Sequence, residues 1–196
     1  MARIATAPER LPFTGDDEAD RLIASDPLAL LIGFVLDQQV TVQKAFAGPL
    51  ELRTRLGHLD AARIAAADPE ALASAFRERP ALHRFPGAMA ERVRALCAFL
   101  GERYGGDATR IWREAASGED LKARLSELPG FGEMKVRTVM TLLARQFGVD
   151  PPGMAALLPD HQTLGDVRTA SELASYQAGK RAAKAARRAA ATDTQP

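Results

Sequence analysis

One cysteine, one tryptophan and two tyrosines occur in 196 residues. The single thiol, Cys97, excludes an internal disulfide, a cysteine-held iron–sulfur cluster and a cysteine-built zinc site. The three histidines, His58, His83 and His161, are isolated and lack the spacing of a metal site. No apolar run approaches the length of a membrane span, and MARIATAPERLPFTGDDEADR lacks the charged-then-apolar order of a signal peptide. A cytoplasmic protein is expected, with no membrane partner. There is also no P-loop, nucleophile elbow or dinucleotide fingerprint. Charge of one sign is missing too: 26 Lys and Arg face 25 Asp and Glu, a net charge of +1. On that balance alone, nucleic acid is not the first partner to expect.

The average conceals an uneven distribution. The stretch 171–196 holds Lys180, Arg181, Lys184, Arg187 and Arg188 against Glu172 and Asp193, while acids gather at Asp16, Asp17, Glu18 and Asp20. The basic end reads either as a solvated Ala-rich helix or as an arm that adds affinity for a phosphate backbone.

Apolar spacing is helical throughout, and no segment alternates as a strand, so the fold class is all-α. Asp26-Pro27 predicts a helix start, with Leu28, Leu31, Ile32 and Val35 on one face and a stop near Gly48-Pro49. Asp60 and Asp68-Pro69 predict two short helices, reaching about Ala67 and Arg77. A longer one spans about Ala88–Arg103, followed by short helices at Asp107–Ala116 and Glu119–Glu127. Helix resumes through Val136, Val139, Met140, Leu143 and Phe147, and breaks at Asp150-Pro151-Pro152-Gly153. Met154–Asp166 has no clear period, and Thr169-x-x-Glu172 has the form of a capping box opening a last helix. Phe76, Phe99 and Trp112 sit at helical spacing, as core residues do.

The most specific stretch is Leu121–Phe147, LKARLSELPGFGEMKVRTVMTLLARQF. It predicts a helix, a tight hairpin with Gly130 and Gly132, and a second helix. Both glycines permit backbone angles that a side chain opposes, and they let another chain approach. The amides of Gly132, Glu133 and Met134 at the helix start form a nest suited to a phosphate. Lys135 and Arg137 oppose the helix dipole unless an anion lies beside them. An ordinary turn between two helices accounts equally well for the geometry.

This hairpin resembles the helix-hairpin-helix of the base-excision DNA glycosylase superfamily. Two further segments fall in the same order. LLIGFVLDQQVTVQKA (Leu30–Ala45) is similar to that family's helix ending in a glutamine pair, and FPGAMAERVRALCAFLGERYGG (Phe85–Gly106) to the helix that follows it. The likeness covers about residues 22–148 and points to a branch of small bacterial glycosylase-like proteins without an iron–sulfur cluster. It implies a two-lobed helical fold, with one unit over 1–170 and a basic helix or tail over 171–196. The partner it implies is double-stranded DNA carrying a damaged or mismatched base, which a monomer bends and flips into a cleft. Gln38 and Gln39 would fill the gap in the stack, since an amide can both donate and accept at the orphaned base. Gly130, Phe131, Gly132 and Lys135 would contact the backbone. The carbonyls of Ser126, Leu128 and Phe131 would hold a monovalent cation, with no other cofactor.

The likeness fails at two places. Where strand-cleaving members carry their nucleophilic lysine, this chain has Met134. Lys135 follows one residue later, about 100° around the helix, so it is expected to point away and contact phosphate, with no lyase step. The window for the family's catalytic aspartate, Pro152–Met154, holds no acid. Asp160, beside His161, reaches the cleft only if residues are inserted there, and otherwise it is a turn residue. Asp150 is the weaker choice, and Asp166 has the place of a cap before the last helix. Asp37, next to the glutamine pair, either faces the cleft with a raised pKa or faces water. The sequence therefore predicts a monofunctional DNA N-glycosylase. A catalytically silent lesion binder on the same fold is the alternative, and a helical protein-interaction domain the third.

Overall fold

A computed structural model describes residues 7–192, with side chains as far as residue 186. All regular structure among these residues is helical. Arg187 and Arg188 have no described side chains, and Asp193 lies beyond the described residues.

Local capping chemistry sets most helix starts. Asp16 opens α1 (Asp17–Ser25) by accepting from the Ala19 amide, and Asp26 opens α2 (Pro27–Leu36) by accepting from the Leu28 and Ala29 amides. Pro27 takes the first helical position, where its missing N–H costs nothing. Thr41 caps α3 (Val42–Leu56), Asp60 caps α4 (Ala61–Ala65) and Asp68 caps α5 (Pro69–Arg77). Next come α6 (Pro86–Tyr104), the single turn α7 (Arg110–Arg113), α8 (Gly118–Ser126) and α9 (Glu133–Gln146). Two 3-10 turns, Met154–Leu157 and Leu164–Asp166, lead to α10 (Ala170–Thr192).

The single helix expected from Asp26 to Gly48-Pro49 is in fact two. The chain leaves helix at Leu36, passes through Asp37–Val40 and restarts under the Thr41 cap, so Pro49 lies inside α3. Gly48 is a contact point rather than a stop. A Cβ there would lie 2.5 Å from Leu36 Cδ1, and one on Gly33 would lie 2.5 Å from Phe46 Cδ1. Bare glycine backbone thus lets α2 and α3 lie close together, with Phe46 edge-on to both Phe13 and Phe34 at 5.0 Å. The helix expected over Asp107–Ala116 is likewise only Arg110–Arg113. Asp107 caps a preceding turn through the Thr109 amide and hydroxyl.

Every residue of α2 from Leu28 to Leu36 is buried. The helices α1, α3 and α6 surround it, α4 and α5 lie on α6, and α8 pairs with α9. Arg55, almost wholly buried, ties the end of α5 to the next loop by donating to the carbonyls of Ala75, Glu78 and Pro80. Asp166 does act as a cap, closing a box with Thr163. The box expected at Thr169 is shifted by one residue: Thr169 accepts from the Glu172 amide, but the Glu172 carboxylate accepts from the Arg168 amide. Among the described residues no helix is long and apolar enough to cross a membrane.

Candidate nucleic-acid interface

The polar residues that interrupt the α2–α3 pattern form a short loop with a distinct backbone. Gln39 takes φ +56°, the sole positive φ among described non-glycine residues, and its side chain is exposed. Left-handed backbone costs a side-chain-bearing residue about 1–2 kcal/mol, so the surroundings must hold it in place.

Gln38 provides that hold. Its Nε2 donates to the Val35 carbonyl at 3.0 Å, and its Oε1 accepts from Arg92 of α6. Its own carbonyl accepts from His83 Nε2 at 2.7 Å. His83 is buried, and its Nδ1 accepts from the Phe85 amide at 3.0 Å, which leaves the ring proton on Nε2 for Gln38. The two glutamines therefore differ: Gln38 is a brace with both ends of its amide engaged, and Gln39 is the one presented outward. Phe85, at the start of α6, is 44% exposed, with the Arg84 guanidinium 4.8 Å above its ring.

The hairpin between α8 and α9 lies against this loop. Phe131 is buried and faces Phe34 of α2 at 6.4 Å, so its side chain belongs to the core and only its backbone is available to a ligand. Gly130 has φ +84°, as a tight turn requires. Gly132 does not need such freedom: its φ of −87° suits any residue, and a Cβ on it would meet nothing within 4 Å. The expectation of forbidden angles at both glycines holds for Gly130 alone. Gly132 caps α9 through no side chain, leaving the first-turn amides to an outside acceptor. The Leu128 carbonyl accepts from the Phe131 amide at 3.0 Å. Arg137 is engaged with Glu133 at 2.6 Å, one turn apart on the exposed face.

Lys135 departs from expectation most. It turns inward, with Nζ 3.3 Å from the Gly130 carbonyl and 3.5 Å from the Val35 carbonyl at the end of α2. Met134, in the place of the family's nucleophile, is the one that points out, 78% exposed. Burial pulls the Lys135 ammonium down to about 8; Asp37 opposes this and Arg92 adds to it. Asp37 in turn has its pKa raised by burial, opposed by Lys180 and Lys135. The helix phase argument failed because a long lysine stem reaches around its own helix toward free carbonyls.

The other two carboxylates lie elsewhere. The Asp160 side chain is fully exposed at 104%, with His161 Nδ1 3.4 Å away. Asp150 is exposed and lines a separate cavity of about 690 Å³ with Arg113 and Met154. No residue of the Gln38 loop or of the hairpin lines that cavity. Sequence reasoning missed His83, Arg92 and Lys180, whose partners are distant in the chain. Comparison with known proteins supplies no relative: no family model, no curated protein and no solved structure matches the chain.

Proposed function

We propose that the protein acts in base-excision DNA repair, as a DNA N-glycosylase that hydrolyses the bond to a flipped, altered base in duplex DNA. The observation that carries this reading is the junction itself. A strained, outward glutamine, a glycine-opened helix start and an amine–carboxylate pair are drawn together through Lys135. In this reading the helices form two lobes with the junction at the cleft between them.

Gln39 enters the stack, and Gln38 keeps its backbone in place. Phe85, stiffened by Arg84, offers an apolar face to a neighbouring base. The first-turn amides of α9 take a phosphate, and the bare Gly132 lets it approach. The Ser126, Leu128 and Phe131 carbonyls fit a monovalent cation, because Leu128 keeps a second lone pair beyond its bond to Phe131. Such an ion would supply charge beside the phosphate.

Asp37 takes the catalytic role that the sequence offered to Asp160 or Asp150. Its carboxylate stabilises positive charge developing on the sugar and receives a proton from the attacking water. The inward Lys135 amine favours a second reading, in which it attacks the sugar carbon as the base leaves and cleaves the strand through a Schiff base.

Duplexes carrying single alkylated, deaminated or oxidised bases, incubated with the protein and then treated with hot alkali, test the proposal. Alkali-dependent cuts at one lesion, lost in Asp37→Asn and kept in Asp160→Asn, are expected. Lesion binding without any cut would instead make the protein a silent binder. A borohydride-trapped adduct that Lys135→Met abolishes would establish the second reading.

A further inference from the structure

Charged side chains from four elements meet beside the Gln38 loop, and one comes from the C-terminal helix. Asp37 follows α2, Arg92 belongs to α6, Lys135 to α9 and Lys180 to α10. The last of these arrives by contacts of its own. Gln177 Nε2 donates to Gln43 Oε1 at 2.9 Å, and Gln43 Nε2 donates back to Gln177 Oε1 at 3.3 Å. Gln43 lies in the first turn of α3, directly after the Gln38–Gln39 loop. Leu173 is buried and Tyr176 half-buried against the core, and the Lys180 ammonium stands 5.3 Å over the Tyr176 ring. Tyr176, Gln177 and Lys180 share one helix face by their spacing.

We propose that α10 is a fixed wall of this site and that its Lys180 is a positioning residue for the Asp37 carboxylate. The use made of Asp37 rests on the glycosylase reading, whereas the pairing does not. A half-buried carboxylate with one cationic neighbour loses its charge when that neighbour turns to a ligand. Lys135 is such a neighbour, since a phosphate or a sugar carbon is its target. Lys180 reaches Asp37 from the opposite side of the chain's fold order and stays in place when Lys135 is engaged. Arg92 is committed to Gln38, and His83 to the Gln38 carbonyl, so neither substitutes for it.

The test is a carboxyl-carbon NMR titration of Asp37 in the full-length protein labelled at aspartate, with Asp37→Asn assigning the signal. Lys180→Gln should move the Asp37 midpoint to higher pH by about half a unit or more. Lys180→Arg should restore it, and Lys184→Gln, one turn further out, should leave it at the parent value. Gln177→Ala, which removes the anchor, should shift it in the same direction as Lys180→Gln. An unmoved midpoint in Lys180→Gln, or an equal shift in Lys184→Gln, overturns the proposal. No DNA enters this titration, so the pairing stands or falls apart from the glycosylase reading. Where excision is measured, the acid limb of kcat/KM should follow the same order of variants.

Discussion

His83 and Gln38 are joined by a 2.7 Å hydrogen bond from a buried imidazole Nε2 to a loop carbonyl. That bond fixes the turn that holds Gln39 in left-handed backbone. His83→Ala leaves the Gln38 carbonyl and the Phe85 amide without their partner. Unfolding in urea should show a loss of about 1–3 kcal/mol. The urea dependence itself should be unchanged, since the same surface is exposed on unfolding.

Gln39 carries strain that its side chain must repay elsewhere. Gln39→Gly removes the cost of φ +56°, so the variant should melt no lower than the parent and gain up to about 1 kcal/mol. Gln39→Ala keeps the strain and loses only the amide. Both should bind a lesion duplex more weakly, as titration of a labelled duplex would show. A glycine variant that melts well below the parent would mean that the loop is not strained.

The two hairpin glycines should respond differently to alanine. Gly130→Ala meets φ +84° and should cost about 1–2 kcal/mol in thermal unfolding. Gly132→Ala has ordinary angles and open space, so its stability should match the parent. Its duplex affinity should fall, with a shallower salt dependence, because the added methyl stands where phosphate approaches.

Lys135 gives the fold a pH signature. Its folded pKa of about 8 lies below the ordinary 10.5, so the unfolded chain binds the extra proton between those values. Stability contributed by this group therefore rises with pH from about 8 to 10.5 and is lowest at neutral pH. Lys135→Met should be more stable than the parent at pH 7, and the difference should narrow through that window. Melting temperatures measured from pH 7 to 10.5 would check the sign.

Local chemistry made much of the fold legible. Asp26, Asp60 and Asp68 cap helices within three residues of themselves, so no tertiary contact is needed to read them. The break at Asp37–Val40 was missed because Leu36 and Val40 continue the apolar period, although the Thr41 cap marks the restart. Gly48-Pro49 misled because the glycine answers to Leu36 across the α2–α3 contact, which spacing along the chain does not reveal. At the site, Gln39 and Gly130 were legible as residue types in a motif. The inward turn of Lys135, the His83 brace and the arrival of Lys180 depend on contacts across the fold. The exposed Asp160 illustrates the converse, since a carboxylate near the right place in sequence acquires no role without burial or a partner at the junction.

The most direct measurement is equilibrium binding to a duplex with one stable abasic-site analogue, set against the same duplex undamaged, at a stated salt concentration. The account predicts tighter binding to the damaged duplex, by tenfold or about 1.4 kcal/mol, and a preference that disappears in Gln39→Ala. Equal affinity for both duplexes, or a preference untouched by Gln39→Ala, would contradict it.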